Sequence, residues 1–199
     1  MFHSSSDIKM KKYLFQSIRL TLTLLVLLCV IYPVTVAFVA RFSPGKGNGE
    51  AVIAEGRKVG YANIGQTFSR PDYFWGRPSA AGYNAAGSAG SNKGPSNPDY
   101  LKDVENRIDT LLKYHQGASR NDIPVDLITA SGSGLDPDIS VEAARFQIAR
   151  VAKARQISQE QLEELIDDAT TGPVLSLFGP SRVNVLQLNI SLDKLQKTH

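Results

Sequence analysis

An unbroken apolar run from Leu20 to Ala40 constrains this chain more than any other feature of its sequence. A bilayer's hydrocarbon core, about 30 Å thick, is crossed by roughly 20 apolar residues in a helix, and this run supplies that length without one charged side chain. No water in that core satisfies the backbone, so a single segment crosses it only as a helix. The flanks set its direction. Lys9, Lys11, Lys12 and Arg19 precede the run, whereas only Arg41 and Lys46 follow closely, so the positive-inside rule holds the N-terminus in the cytoplasm. The expected division is a cytoplasmic tail over 1–19, a transmembrane helix over 20–41 and an extracytoplasmic domain over 42–199. A cleaved leader is the rival reading, since Thr35-Val36-Ala37 has the small residues of a cleavage site. It fits less well, because the run exceeds the roughly 7–15 residues of a secretory apolar region and Phe38-Val39-Ala40 continues it past the cut. Pro33 lies inside the span, where it marks either a kink or packing against a partner. Met10-Lys11-Lys12 makes a second start with its own basic flank, so Met1 to Lys9 is expected to be dispensable.

The rest of the chain is long enough for one domain with a real core. The whole chain, with 42% hydrophobic residues, 21% charged residues and a net charge of +3, carries neither the signature of disorder nor that of nucleic-acid binding. Cys29, the only cysteine, falls inside the apolar run, so the domain has no internal disulfide and depends on packing. Phe68 to Pro98 is rich in Gly, Ser, Asn, Ala and Pro and reads as a long ordered loop, because Tyr73, Phe74, Trp75 and Tyr83 give it apolar material. These rings form either a binding surface or a cover for the domain's own core.

Three helices are signed. Asn97-Pro98 is an N-cap with proline in the first turn, after which Leu101, Val104, Ile108, Leu111 and Leu112 form one stripe ending near His115-Gln116-Gly117. A second starts near Ser140 and buries Ala144, Ile148, Val151 and Ala152, which leaves Arg145, Arg150, Lys153 and Arg155 on its other faces. Ser158 and Gln161 have capping-box spacing for the third, with Ile157 and Leu162 as its staple and Leu165 and Ile166 continuing the buried face. Clusters of β-branched residues predict strands at Val52–Ala54, Tyr61–Ile64, Val125–Thr129 and Val183–Ile190. The order indicates an α+β domain behind a single N-terminal transmembrane helix.

Catalytic chemistry is scarce. His3, His115 and His199 are too scattered for a metal or triad constellation. Gly132-Ser133-Gly134 lacks the outer glycine spacing of a nucleophile elbow. Gly87, Gly90 and Lys93 do not make a phosphate-cradling loop, because Gly-Lys-Ser/Thr is absent. Asp136-Pro137-Asp138 reads as a helix-entry turn and not as a calcium site. No catalytic residue and no metal site is expected.

An ordered series of blocks identifies a family. Tyr32-Pro33 comes first, then Ile64-Gly65-Gln66-Thr67-Phe68, then Tyr73-Phe74-Trp75-Gly76-Arg77-Pro78-Ser79-Ala80, Ser88-Ala89-Gly90-Ser91-Asn92 and Ser96-Asn97-Pro98. The longest is Val125-Asp126-Leu127-Ile128-Thr129-Ala130-Ser131-Gly132-Ser133-Gly134-Leu135-Asp136, followed by Ala143-Ala144, Gln147 and Arg150-Val151-Ala152-Lys153-Ala154-Arg155. Val183-Asn184-Val185-Leu186, Leu188-Asn189 and Leu192-Asp193-Lys194-Leu195 close the series. In these blocks the chain resembles the C subunit of the Kdp potassium-transporting ATPase. Departures are Ala89 for the usual glycine, Gly132 for the usual alanine and Lys93 for an apolar residue, and Met1 to Lys9 lies outside the resemblance.

The resemblance implies a non-catalytic accessory subunit of a high-affinity, ATP-driven potassium importer in the bacterial plasma (inner) membrane. Asp193-Lys194-Leu195-Gln196 is not the phosphorylated Asp-Lys-Thr-Gly motif of P-type ATPases. The implied partners are the channel-like A subunit, the ATP-hydrolysing B subunit and the small F subunit, with the lipid bilayer around them and potassium handled by the whole. The family is also described as a catalytic chaperone that raises the B subunit's affinity for ATP, which implies ATP reached through the complex and no covalently bound cofactor. For a direct nucleotide contact the candidates are Ser131, Ser133 and Gln147; the simpler reading makes Ser131 to Asp138 a turn that caps a helix and Gln147 a locally satisfied side chain. For partner contact they are Tyr32 and Pro33 in the span with Tyr73, Phe74, Trp75 and Arg77 in the aromatic loop. The alternative class is a stand-alone, single-span extracytoplasmic ligand-binding protein that uses Tyr73 to Arg77 to capture its ligand.

Overall fold

The computed structural model describes the backbone from Ser4 to Lys197 and side chains from Met10 onward. Of the segment Met1 to Lys9, the first three residues lie outside the described residues, as does His199. The chain divides after Glu50 into two compact units.

In the first unit, α1 (Ser4–Val26) and α2 (Tyr32–Ala40) are joined by a widened turn over Leu27–Ile31. Met10 to Ala40 is long and apolar enough to cross a membrane. The hydroxyls of Ser17, Thr23 and Thr35 each donate to the carbonyl four residues back, all at 2.8 Å, so these three are satisfied within the helix. Proline cannot donate to the helical ladder, and its ring crowds the carbonyl four residues back. The chain accommodates Pro33 by opening the preceding turn, where the Tyr32 N–H donates to Leu27 O, five residues back.

The second unit begins with a hairpin, β1 (Ala51–Ala54) and β2 (Arg57–Tyr61), antiparallel with a bulge between Val52 and Ile53. Its two-residue turn, Glu55-Gly56, has positive φ at both positions, the conformation that matches strand twist in a tight hairpin. A long loop then runs to α3 (Pro98–Tyr114), where Asn97 accepts from the Tyr100 N–H as N-cap. Ile108 and Leu111 are buried while Leu101, in the first turn, is exposed. Next come β3 (Asp138–Ile139), α4 (Val141–Phe146), α5 (Ile148–Arg155), α6 (Gln159–Ala169), β4 (Thr170–Thr171), β5 (Arg182–Asn184) and α7 (Val185–Lys197). The small sheet has the antiparallel order β3-β5-β4, with Val183 of β5 opposite both Ile139 and Thr170. The Ser158–Gln161 capping box forms as its spacing predicts. The α+β class is therefore as expected.

Two strand expectations are corrected. Val125–Thr129 is a 3₁₀ turn over Val125–Leu127. Pro124 opens it, and Thr129 closes it by donating both its N–H and its hydroxyl to Val125 O. Val183–Ile190 is strand only to Asn184, because the Asn184 carboxamide accepts from the Gln187 N–H and starts a helix. Tyr61–Ile64 contributes Tyr61 to β2 and a single bridge from Tyr61 to Ile64. The helix expected from Ser140 is broken at Gln147 into α4 and α5.

Phe74, Leu162, Ile166, Val183, Leu188 and Leu192 are all 0% exposed and form the centre of the core, with Ile148 and Val151 from α5 beside them. Val151→Asp would bury an unpaired charge, with an expected loss of roughly 3 kcal/mol or more. Thermal denaturation of the purified chain should show it. A melting temperature within a few degrees of wild type would place Val151 outside the core.

Candidate functional site

The longest family block and the aromatic block are physically one structure. Gly65 donates its N–H to Leu135 O at 2.8 Å, and a Cβ there would meet Asp136 O at 2.3 Å, so the residue must be glycine. Ser131 N–H donates to Pro78 O, Ala89 N–H to Ser133 O, and the Ser79 hydroxyl to Gly134 O at 2.6 Å. Ser79 Oγ also accepts from the Tyr83 N–H, while the Tyr83 hydroxyl donates to Arg77 O. Burial pushes that tyrosine's pKa up. Arg77 pairs with Asp136 at 2.9 Å, both half-buried. Of the two candidate serines, Ser131 is buried and Ser133 is exposed, with its hydroxyl accepting from the Leu135 N–H.

The aromatic segment lies across α5 and α7 with no strand beside it among the described residues, and side chains take a strand's place. Asn189 accepts from the Phe74 N–H at 2.9 Å and donates to Phe74 O at 3.0 Å. Gln147 does the same for Trp75, at 2.7 and 3.1 Å, and also donates to Ala143 O. Two carboxamides thus pair with two consecutive residues as a neighbouring strand would. Gln147 sits at the break between α4 and α5.

Arg150 completes the clamp. Its Nη1 donates to Pro71 O and to Tyr73 O at 2.9 Å, its Nη2 to Gln147 Oε1 at 2.6 Å, and its Nε to His115 Nε2 at 3.2 Å. The guanidinium also lies over the Trp75 ring, 4.1 Å from its centroid. Burial lowers its pKa to about 10, so it stays charged at neutral pH. His115 takes a fixed neutral form, since its Nδ1 faces Leu111 O at 2.7 Å and its Nε2 accepts from Arg150. Burial pushes its pKa down. Arg155, beside the Tyr73 ring, donates to Asp72 O and pairs with Asp193, which also accepts from the Tyr73 hydroxyl at 3.0 Å.

These contacts relocate several candidates. Phe74, proposed as a partner contact, is 0% exposed and belongs to the core. Gln147, proposed for nucleotide binding, is equally enclosed and has both ends of its amide engaged by backbone. Tyr73, Trp75 and Arg77 remain half-buried around the clamp. Tyr32 and Pro33 lie in the N-terminal unit, where Tyr32 is 63% exposed. Arg150 and Arg155, expected on the outer faces of their helix, are covered by the loop; helical periodicity carries no record of a loop that returns from elsewhere in the sequence. Asn189 escaped sequence reasoning because it sits in a stretch expected to be strand; its signal was a polar residue at helical spacing with Val185, Leu188 and Leu192. Among the described residues no group of His, Cys, Asp and Glu could hold a metal ion.

The family model of the K+-transporting ATPase c chain, KdpC, matches residues 14–194. The chain belongs to the KdpC family. It is 50% identical to the potassium-transporting ATPase KdpC subunit of Flavobacterium johnsoniae, over 93% of this chain and 100% of the relative. A protein of the same description from Bacteroides fragilis is 48% identical over 93% of this chain and 98% of its own length. That of Herpetosiphon aurantiacus is 49% identical over 86% and 90%.

The neutral His115 makes stability depend on pH with a definite sign. Since burial depresses its folded-state pKa, the unfolded chain binds the proton first. Its contribution is complete above the ordinary value of 6.5 and is lost as pH falls through and below it. Chemical denaturation at steps from about pH 7 to pH 5 should show declining stability. His115→Gln, which retains an acceptor for Arg150, should flatten that decline, and an unchanged slope would assign it to other groups.

Proposed function

We propose that this chain is the C subunit of an ATP-driven potassium importer, a non-catalytic component that assembles with the A, B and F subunits of a Kdp complex. The family match over residues 14–194 supports the assignment. The chain is held in the bacterial plasma membrane by the helix Met10–Ala40, with its N-terminus in the cytoplasm and the unit from Ala51 onward outside. Lys11, Lys12 and Arg19 on the leading side of the apolar run support that orientation.

The subunit raises the ATPase subunit's affinity for ATP without touching ATP. Gln147 carries this part of the reading, because its carboxamide is buried and holds the Trp75 backbone at both ends. A subunit that contacts two pump conformations with different strength shifts their populations, and by linkage this changes nucleotide affinity at a distance. The half-buried Tyr73, Trp75 and Arg77, set rigidly by the clamp, and the helix around Tyr32 and Pro33 are the surfaces assigned to that contact. No cofactor is bound by this chain; ATP enters through its partner.

The test compares purified complexes carrying Gln147→Ala, Ser133→Ala or Trp75→Ala. Gln147→Ala should reduce the amount of assembled complex, while the ATP concentration for half-maximal hydrolysis, measured per assembled complex, stays within about twofold of wild type for Gln147→Ala and Ser133→Ala alike. Trp75→Ala should lower potassium-stimulated hydrolysis. A large rise in that ATP concentration with Ser133→Ala or Gln147→Ala, in fully assembled complexes, would replace this account with direct nucleotide contact.

A further inference from the structure

Strands β4 and β5 form a hairpin whose ten-residue connection, Gly172 to Ser181, carries no charge. Its tip is the most exposed apolar surface in the second unit. Val174 is 59% exposed, Leu175 84%, Leu177 76% and Phe178 62%, all within five residues. The unit's other exposed large apolar residues, such as Ile53, Leu101 and Val125, are dispersed along the chain, and single exposed residues of that kind are ordinary.

The tip is also shaped and internally hydrogen-bonded. Val174 and Phe178 exchange both backbone bonds at 2.9 Å, Ser176 N–H donates to Pro173 O and Leu177 N–H to Val174 O. Pro173 and Pro180 have no N–H to satisfy. Leu175 and Ser176 both hold positive φ, 53° and 57°, which side-chain-bearing residues adopt only when the surroundings define the loop. The tip can therefore leave water with few unpaired donors, and its shape is set before it meets anything.

Behind it stands an acidic shoulder. Helix α6, which leads directly into β4, carries Glu160, Glu163, Glu164, Asp167 and Asp168, all exposed, and no basic residue. Asp167 and Asp168 lie in its last turn, where the helix dipole disfavours negative charge. Asp167 pairs with Arg145 at 2.8 Å. Folding alone rewards neither the acidic helix end nor the exposed leucines. Anionic lipid headgroups would repel the shoulder. A protein recess that is apolar at its floor and basic at its rim suits both features.

We infer that the hairpin tip Val174–Phe178, backed by the acidic end of α6, docks into such a recess on a polytopic subunit of the potassium pump. This rests on the reading of the chain as a pump subunit. The full chain is expressed with its partner subunits and carries Leu177→p-benzoylphenylalanine as a photocrosslinker. Irradiation of native membranes should join it to a peptide of a polytopic pump subunit, identified by mass spectrometry. Leu175→Ser with Phe178→Ser should lower the yield of co-purified pump subunits at least threefold with the chain's own melting temperature unchanged. Glu164→Lys with Asp168→Lys should lower it further as ionic strength falls. Crosslinks only to lipid or to a second copy of this chain would overturn the inference, as would wild-type co-purification by the serine variant. If the wild-type chain itself brings down no pump subunits, the functional reading fails too, and that outcome is distinct from a failure confined to the tip.

Discussion

The second unit depends on two side-chain amides doing the work of a β-strand. A segment that crosses the core without a neighbouring strand must still satisfy its peptide groups, and an unpaired buried donor costs about as much as a lost hydrogen bond. Asn189 on α7 and Gln147 at the α4–α5 break each supply a donor and an acceptor to one residue of that segment. Phe74 can then turn fully inward while Tyr73 and Trp75 lie toward the two sides. Each amide belongs to a different helix, so the segment holds α5 and α7 in fixed relation as much as they hold it.

Arg150 extends the same logic to a charge. Among the described residues no carboxylate hydrogen-bonds to it; its guanidinium is compensated by backbone carbonyls, an amide oxygen, an imidazole nitrogen and an indole face. The fork of donors is what makes this arrangement work, because one planar group reaches several acceptors at once. A lysine at this position would offer a point charge and lose the fork. Next to it the neutral imidazole of His115 serves as acceptor, and its proton state is part of the packing.

Helices announced themselves in the sequence because their signals are local. Asn97-Pro98 and the Ser158–Gln161 box act within one turn, and both appear in the structure at the stated positions. Strand expectations depended on β-branched content, which describes a fit to neighbours that local sequence does not contain. At Val125 a preceding proline outweighed it, and at Val185 the Asn184 cap did. The clamp was legible only in part. Gln147 and the aromatic block were both singled out, yet their union spans 72 residues of sequence, a distance over which no periodicity speaks. The same long reach turned Arg150 and Arg155 from expected surface residues into interior ones.

The opened turn ahead of Pro33 has a consequence for how the membrane helix meets its surroundings. A hydrogen bond that reaches back five residues instead of four adds one residue to a single turn. Everything after it is rotated by roughly a third of a turn relative to an uninterrupted helix. A stripe of side chains that faces one direction between Leu20 and Val26 is therefore not continued by the stripe an ideal helix would place between Val34 and Ala40. Two neighbours, one for each half, can each meet a coherent face, whereas one straight helix lying along the full length would track a face that changes identity midway.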